Sequence, residues 1–174
     1  MIGPSVAIGI GSSEPYKQWG ASRFAELADR LLDAGWPRLF LVGGQSEAEL
    51  ARSIVHRLGD RSDGVSEAID WNLADVAALL AAAVFYVGND TGVMNIAAAV
   101  GTRTYGLFGG TSPLFHCRSL VSITPPDLRI DKAHGMARIT VQRVVQAIVA
   151  DRGALGPAIT EPGRGPSRRV TAAT

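Results

Sequence analysis

The stretch Tyr86-Val87-Gly88-Asn89-Asp90-Thr91-Gly92-Val93-Met94-Asn95-Ile96-Ala97-Ala98-Ala99-Val100-Gly101 decides the fold. An apolar run, Val84 to Val87, stops at Gly-Asn-Asp-Thr-Gly, and an Ala-rich run of helical character follows as far as Gly101. This order reads as a strand, a tight turn and a helix N-terminus. The first amides of a helix have no intrahelical acceptor, and the terminus carries roughly half a positive charge. With small residues at Thr91 and Gly92, such a terminus is suited to a phosphate, so the expected ligand is a nucleotide or a nucleotide sugar.

The flanking sequence repeats the alternation. Ser5–Gly11 reads as a buried strand, and Ser22–Ala34 as a helix with Phe24, Leu27, Ala28, Leu31 and Leu32 on one face, ended by Gly35. Arg38–Gly44 is a second strand. Ser46 and Glu49 have the spacing of a capping box for a helix whose inner face is Ala51, Ile54, Val55 and Leu58. A short strand is expected at Val65–Ile69. Asn72 caps a helix with Leu73, Val76, Ala77 and Leu80 inward. Further strands fall at Thr104–Phe108 and Leu120–Thr124, and Thr140 opens a last helix with Val141, Val144, Val145, Ile148 and Val149 on one stripe. Strands alternating with helices imply right-handed crossovers and a mainly parallel sheet covered on both faces, a three-layer α/β/α domain.

Ligands of such sheets bind beyond the carboxyl ends of the strands. Four polar, Gly-rich loops are expected to meet there: Gly11–Gly20, Gly43–Ser46, Gly88–Gly92 and Gly109–Pro113. The pattern ends near Gly153. Residues 1–153 are assigned to the domain, and 154–174, rich in Gly, Pro, Ala and Arg, to a disordered tail. Arg164, Arg168 and Arg169 in that tail read as solvated rather than as a basic patch.

Composition narrows the function classes. The 174 residues are 47% hydrophobic and 19% charged, with a formal net charge of +1, which gives no bias toward nucleic acid or a membrane surface. The single cysteine, Cys117, excludes an internal disulfide framework. No apolar run approaches the roughly 20 residues of a membrane span. Met1-Ile2-Gly3-Pro4 has no basic n-region, so no signal peptide is expected and the protein is taken as cytoplasmic.

Each polar motif has a functional and a plainer reading. Ser12, Ser13 and Lys17 follow a strand end and offer two hydroxyls and a charge to a phosphate, or form an ordinary surface loop. Gly9-Ile10-Gly11 begins like a dinucleotide fingerprint, but Glu14 stands where the third glycine belongs, which argues against the usual NAD site. Glu47 is placed to accept ribose hydroxyls, or to serve as a first-turn acid. Asp90-Thr91-Gly92 also spells the aspartic-protease triplet, but that chemistry needs two mostly β lobes sharing a proton. His116-Cys117 has no second His/Cys cluster, His56 lies between Arg52 and Arg57, and His134 sits in a loop, so no metal site and no cofactor are expected. Of Trp19, Trp36 and Trp71, the last is the candidate to stack on a base, with core or loop packing as its plainer reading.

Together the landmarks resemble the donor-binding half of glycosyltransferase family 9, the heptosyltransferase-like enzymes of GT-B architecture. They are Gly11-Ser12-Ser13 with Lys17-Gln18-Trp19 before Phe24-Ala25-Glu26-Leu27, then Leu41-Val42-Gly43-Gly44 with Glu47, Leu73 to Leu80, Val87 to Gly92, and Gly106 to Pro113, spread over roughly residues 5–150. The resemblance implies a Rossmann-like domain, a nucleotide-diphosphate sugar such as ADP-heptose, and a place in lipopolysaccharide biosynthesis. It implies that Ser12, Ser13 and Lys17 hold the diphosphate, that Thr91 and Gly92 bind it from the helix terminus, and that Glu47 takes the ribose. The Trp71–Leu73 stretch, with Asn72, would border the base, and Asp90 would face the sugar or fix the turn.

The catalytic contribution expected of this chain is leaving-group stabilisation by Lys17, with Asp90 as a second candidate. Many members of that family have His where this chain has Asn95, a neutral donor that adds no charge near the phosphate. The family's general base and acceptor contacts come from an N-terminal half that this chain does not contain. The expected activity is therefore transfer of a sugar to a hydroxyl acceptor. The competing reading is a binding module that depends on a separate partner and exposes an apolar strip where the other half would dock. An epimerase or phosphorylase of similar build is the other alternative.

Overall fold

The computed structural model describes residues 4–115 and 117–151. Six strands form one sheet: β1 (Ser5–Gly9), β2 (Arg38–Gly43), β3 (Val65–Ile69), β4 (Phe85–Asn89), β5 (Arg103–Leu107) and β6 (Leu120–Ile123). Their order is β3-β2-β1-β4-β5-β6, and every pairing is parallel. The helices are α1 (Ala21–Asp33), α2 (Ala48–Leu58), α3 (Leu73–Ala82), α4 (Gly92–Ala99) and α5 (Val141–Ala150). The strands are near-continuously apolar because both faces of the sheet are covered. Val6, Ile8, Leu39, Leu41, Phe85, Val87, Tyr105 and Leu107 pack under α1, α2 and α5. The alternate residues Ala7, Val42 and Tyr86, with Ala68 and Phe108, pack under α3 and α4. This is the expected three-layer α/β/α arrangement.

The strand order reverses direction between β1 and β4, which lie side by side from Val6 opposite Phe85 to Gly9 opposite Gly88. The chain leaves β1 toward α1 on one face and leaves β4 toward α4 on the other. A crevice therefore opens between the two departing loops, the place where open parallel sheets bind ligands.

Most helix faces follow the spacing in the sequence, with Phe24, Leu27, Ala28 and Leu31 buried in α1 and Gly35 just beyond it at φ +88°. Three details differ. The Ser46–Glu49 capping box does not form, because a 3-10 turn at Gln45–Glu47 delays α2 to Ala48 and leaves Ser46 upstream of the cap position. Ser46 Oγ donates to Glu47 Oε1 at 2.9 Å instead, and Glu49 pairs with Arg52 at 2.6 Å. Leu73 is exposed, because as the first residue of α3 it lies ahead of the sheet-covering turns occupied by Val76 and Leu80. Val149, in the last turn of α5, is also exposed, while Val141, Val144 and Ile148 are buried. The Asn72 and Thr140 caps form as expected, accepting from the amides of Asp75 and Arg143. The expected disordered tail and its arginines lie outside the described residues, as does His116.

Candidate functional site

Three of the four rim loops line one polar cavity of about 430 Å³ at the β1/β4 crevice. Its walls are Gly9, Gly11, Ser12, Ser13 and Lys17 from the end of β1, Val42 to Gly44 with Ser46 and Glu47 from the end of β2, and Asp90 to Val93 from the turn into α4. The fourth loop joins from the side, where Thr111 Oγ1 donates to Asp90 Oδ2 at 2.7 Å.

The β1–α1 loop is held from within. Ser12 is buried, and its hydroxyl both donates to the Glu14 carbonyl and accepts from the Glu14 amide, each at 3.1 Å. Gln18 Nε2 donates to the Ser12 carbonyl at 2.9 Å, and Trp19 Nε1 donates to the Ile139 carbonyl at 2.7 Å. Trp19 is thus a fully buried anchor packed edge-on against Phe24, and it fixes the far end of the loop. Ser13 is left exposed at the mouth of the cavity. Lys17 reaches across, with Nζ 3.3 Å from Asp90 Oδ2.

Glu47 bends back over its own loop, and Oε2 accepts from the Gly44 amide at 2.8 Å. Its carboxylate lies close against Gly11, where a β-carbon would meet it. On the opposite wall, Thr91 is the N-cap of α4, but its side chain makes no capping bond. The first amides of that helix therefore have no acceptor within the helix or from the cap residue, and Gly92 and Val93 stand at the cavity. The carboxylates of Glu47 and Asp90 share this space but are met by the Gly44 amide and by Thr111 and Lys17, so the donors left open to an anion are those of the helix terminus.

Of the residues singled out from sequence, Ser12, Ser13, Lys17, Glu47, Asp90, Thr91 and Gly92 come together here. Asn72 does not line the cavity. Its Oδ1 accepts from the Asp75 amide and its Nδ2 donates to the Asp75 carboxylate. Asn95, exposed one turn into α4, does not line it either. Trp71 is half exposed on the loop after β3, at the same edge of the sheet. Cys117 lies far along the chain from the cavity loops, with its thiol 3.5 Å from Ser119 Oγ, a contact that holds it below the usual thiol range. Among the described residues no group of three His, Cys, Asp or Glu side chains is gathered as a metal site, and no helix is long and apolar enough to cross a membrane.

Two residues that matter here escaped the sequence reading. Asn89, fully buried at the last position of β4, donates from Nδ2 to the carbonyls of Ile10 at 3.0 Å and Gly11 at 3.1 Å. It thereby ties the two crevice strands together where their backbones diverge. Tyr86 lies flat over Gly9 and Gly88, and a β-carbon on either glycine would overlap its phenol. The signal for Asn89 was an amide inside an apolar strand immediately before the turn. Tyr86 offered none, since an aromatic in a strand is ordinary core.

The model of glycosyltransferase family 9 (heptosyltransferase) matches residues 2–122. Lipopolysaccharide heptosyltransferase 2 of Escherichia coli is 31% identical over 103 residues, covering 58% of this chain and 29% of that protein. The structure of E. coli ADP-heptose lps heptosyltransferase II superposes with a TM-score of 0.76 at 27% identity, covering 84% of this chain and 46% of that one. E. coli heptosyltransferase WaaC with ADP-2-deoxy-2-fluoro heptose gives a TM-score of 0.71 at 25% identity, covering 86% and 44%. The chain spans less than half the length of each of these relatives.

Proposed function

The chain belongs to glycosyltransferase family 9, and from that membership we propose that its crevice holds the diphosphate of a nucleotide-sugar donor, as one half of a GT-B enzyme. The observation that carries this reading is the convergence of Ser13, Lys17 and Thr91, from three separate loops, on one cavity at the switch point of the sheet. Lys17 supplies the charge, the α4 terminus supplies amide donors, and Ser13 supplies a hydroxyl at the mouth. Ser12 acts through the shape of its loop, since its own hydroxyl is engaged with Glu14. Glu47 takes the ribose, and Trp71 borders the base. An ADP-heptose-like donor is supported by the relative that carries an ADP-heptose analogue, and lipopolysaccharide assembly is the setting that the relatives' names suggest.

In the reaction proposed, an acceptor hydroxyl oxygen attacks the anomeric carbon, and the bond from that carbon to the phosphate oxygen breaks. The nucleotide diphosphate leaves with the electron pair, and the proton passes to a base outside this domain. Lys17 and the helix amides act on the charge that grows on the leaving oxygen, by positioning and electrostatics rather than by proton transfer. No metal is required in this scheme, because protein donors face the phosphates.

Calorimetric titration tests the reading. ADP should bind in the micromolar to millimolar range and AMP much more weakly, and Glu47→Gln should remove the preference for ADP over 2′-deoxy-ADP. Equal affinity for ADP and AMP, or no binding of either, defeats it. A second reading is a donor-binding module that turns over only with an acceptor-binding partner. Sugar transfer by this chain alone would exclude that second reading.

A further inference from the structure

Against Gly9, which lines the cavity, lies a buried phenol. Tyr86 is fully buried, and its Oη has no hydrogen-bond partner among the described residues. Its ring crosses the sheet on the α4 side, and the hydroxyl occupies the space that a Gly9 side chain would fill. Gly9 itself lines the cavity, and the Gly88 backbone borders the same spot. Leaving a buried hydroxyl unpaired costs about 1–3 kcal/mol. A phenylalanine would fill the same core without that cost, so the oxygen points to something that it meets in another state.

That something is close by. The Thr91 hydroxyl is near enough to draw the phenol's acidity back toward normal, although burial dominates and pushes the Tyr86 phenol well above its ordinary range. Thr91 caps α4 without using its side chain and stands in the cavity wall. The buried phenol lies against Gly9 of the cavity lining, and Thr91 belongs to the wall of the same cavity.

We propose that Tyr86 is a positioning residue for the anion site: when a diphosphate occupies the crevice, the phenol donates to Thr91 Oγ1 and Thr91 donates to a phosphate oxygen. Accepting a bond from the phenol polarises the threonine hydroxyl and directs its proton toward the ligand. The inference rests on the phosphate-binding reading above and adds to it a residue that touches no ligand.

The test compares wild type, Tyr86→Phe, Thr91→Val and the double variant by thermal melting and by ADP titration. Without ligand, Tyr86→Phe should melt at the wild-type temperature or above it, since it loses only an unpaired oxygen. Its ADP affinity should nevertheless fall about three- to tenfold, the range of one ordinary hydrogen bond. In the Thr91→Val background the same change should have no further effect, because the relay is already broken. A purely structural tyrosine would shift the melting temperature and leave the titration alone. Equal ADP affinity in wild type and Tyr86→Phe overturns the relay while the phosphate reading stands. Losses that add in the double variant also overturn it. Failure of wild type to bind ADP overturns both.

Discussion

Lys17 Nζ stands 3.3 Å from Asp90 Oδ2, across the mouth of the crevice and from a different loop. The same carboxylate oxygen accepts from Thr111, so one aspartate gathers the loops after β1 and β5 onto its own turn. In the proposed complex, Lys17 is shared between this carboxylate and a phosphate. Replacing Lys17 by alanine should lower ADP affinity at least about tenfold, or 1.4 kcal/mol. Replacing Asp90 by asparagine removes a negative charge beside the anion and should raise ADP affinity about threefold to tenfold, on the order of 1 kcal/mol for a solvated pair. Calorimetry on both variants checks the opposite signs. Two losses, or two gains, would contradict the shared-lysine geometry.

Asn89 holds the carbonyls of Ile10 and Gly11 with one amide. Asn89→Ala should cost about 1–3 kcal/mol in urea unfolding, by stranding buried acceptors. Asn89→Asp should cost more at neutral pH, because it turns a carboxylate toward two carbonyl oxygens. That extra loss should shrink as the solution is acidified and the carboxyl gains a proton to donate. A pH-independent difference between the two variants would place the amide's role elsewhere.

Gly109 and Gly135 meet backbone to backbone, and a β-carbon on Gly109 would strike the main chain at Gly135 and Met136. Neither neighbour has a side chain end that can swing away. Gly109→Ala should therefore lower stability by about 1–3 kcal/mol or more. At Gly92 a β-carbon meets nothing within 4 Å, so Gly92→Ala should be neutral or stabilising at the start of α4. Parallel denaturation curves of the two variants make the comparison.

Asp131 holds the loop before α5. The amides of His134 at 2.9 Å and Ala133 at 2.7 Å donate to it, and Arg138 lies 3.5 Å away. The His134 amide is the main reason that its carboxyl sits below the usual range. A carboxyl depressed in the folded state stabilises the fold above its unfolded value, about pH 4, and loses that contribution as pH falls through the lower folded value. The melting temperatures of wild type and Asp131→Asn should thus differ at pH 6 and converge in strong acid. A constant gap would show that the effect is not ionic.

Periodicity and composition were enough for the layers. Six apolar runs and five helical stripes set strand and helix positions to within a residue or two, because burial on both faces of the inner strands leaves a continuous apolar signature. β3 was the faintest strand because it lies at the sheet edge and buries only Ala68. The rim loops were legible because glycine and small polar residues cluster where strands end.

What sequence could not give was the use of individual hydroxyls and amides. Ser12 reads as a phosphate ligand by type, and only coordinates reveal its hydroxyl closed on Glu14. The Ser46–Glu49 spacing fitted a cap, but the 3-10 turn before α2 moved the helix start past it. Asn72 bordered the right loop in the sequence, yet its side chain is committed to Asp75. Non-local partners such as Asn89 with Ile10, 79 positions apart, leave no local pattern.

Much of the crevice wall is peptide rather than side chain: Gly9, Gly11, Gly43, Gly44 and Gly92 all face it. A surface made of amides and α-carbons keeps its shape when neighbouring codons mutate, as long as the strand order is kept. In the proposed complex, substrate preference would then rest on the few side chains at the margin, such as Ser13 and Glu47, while the backbone seat for the phosphates stays as it was.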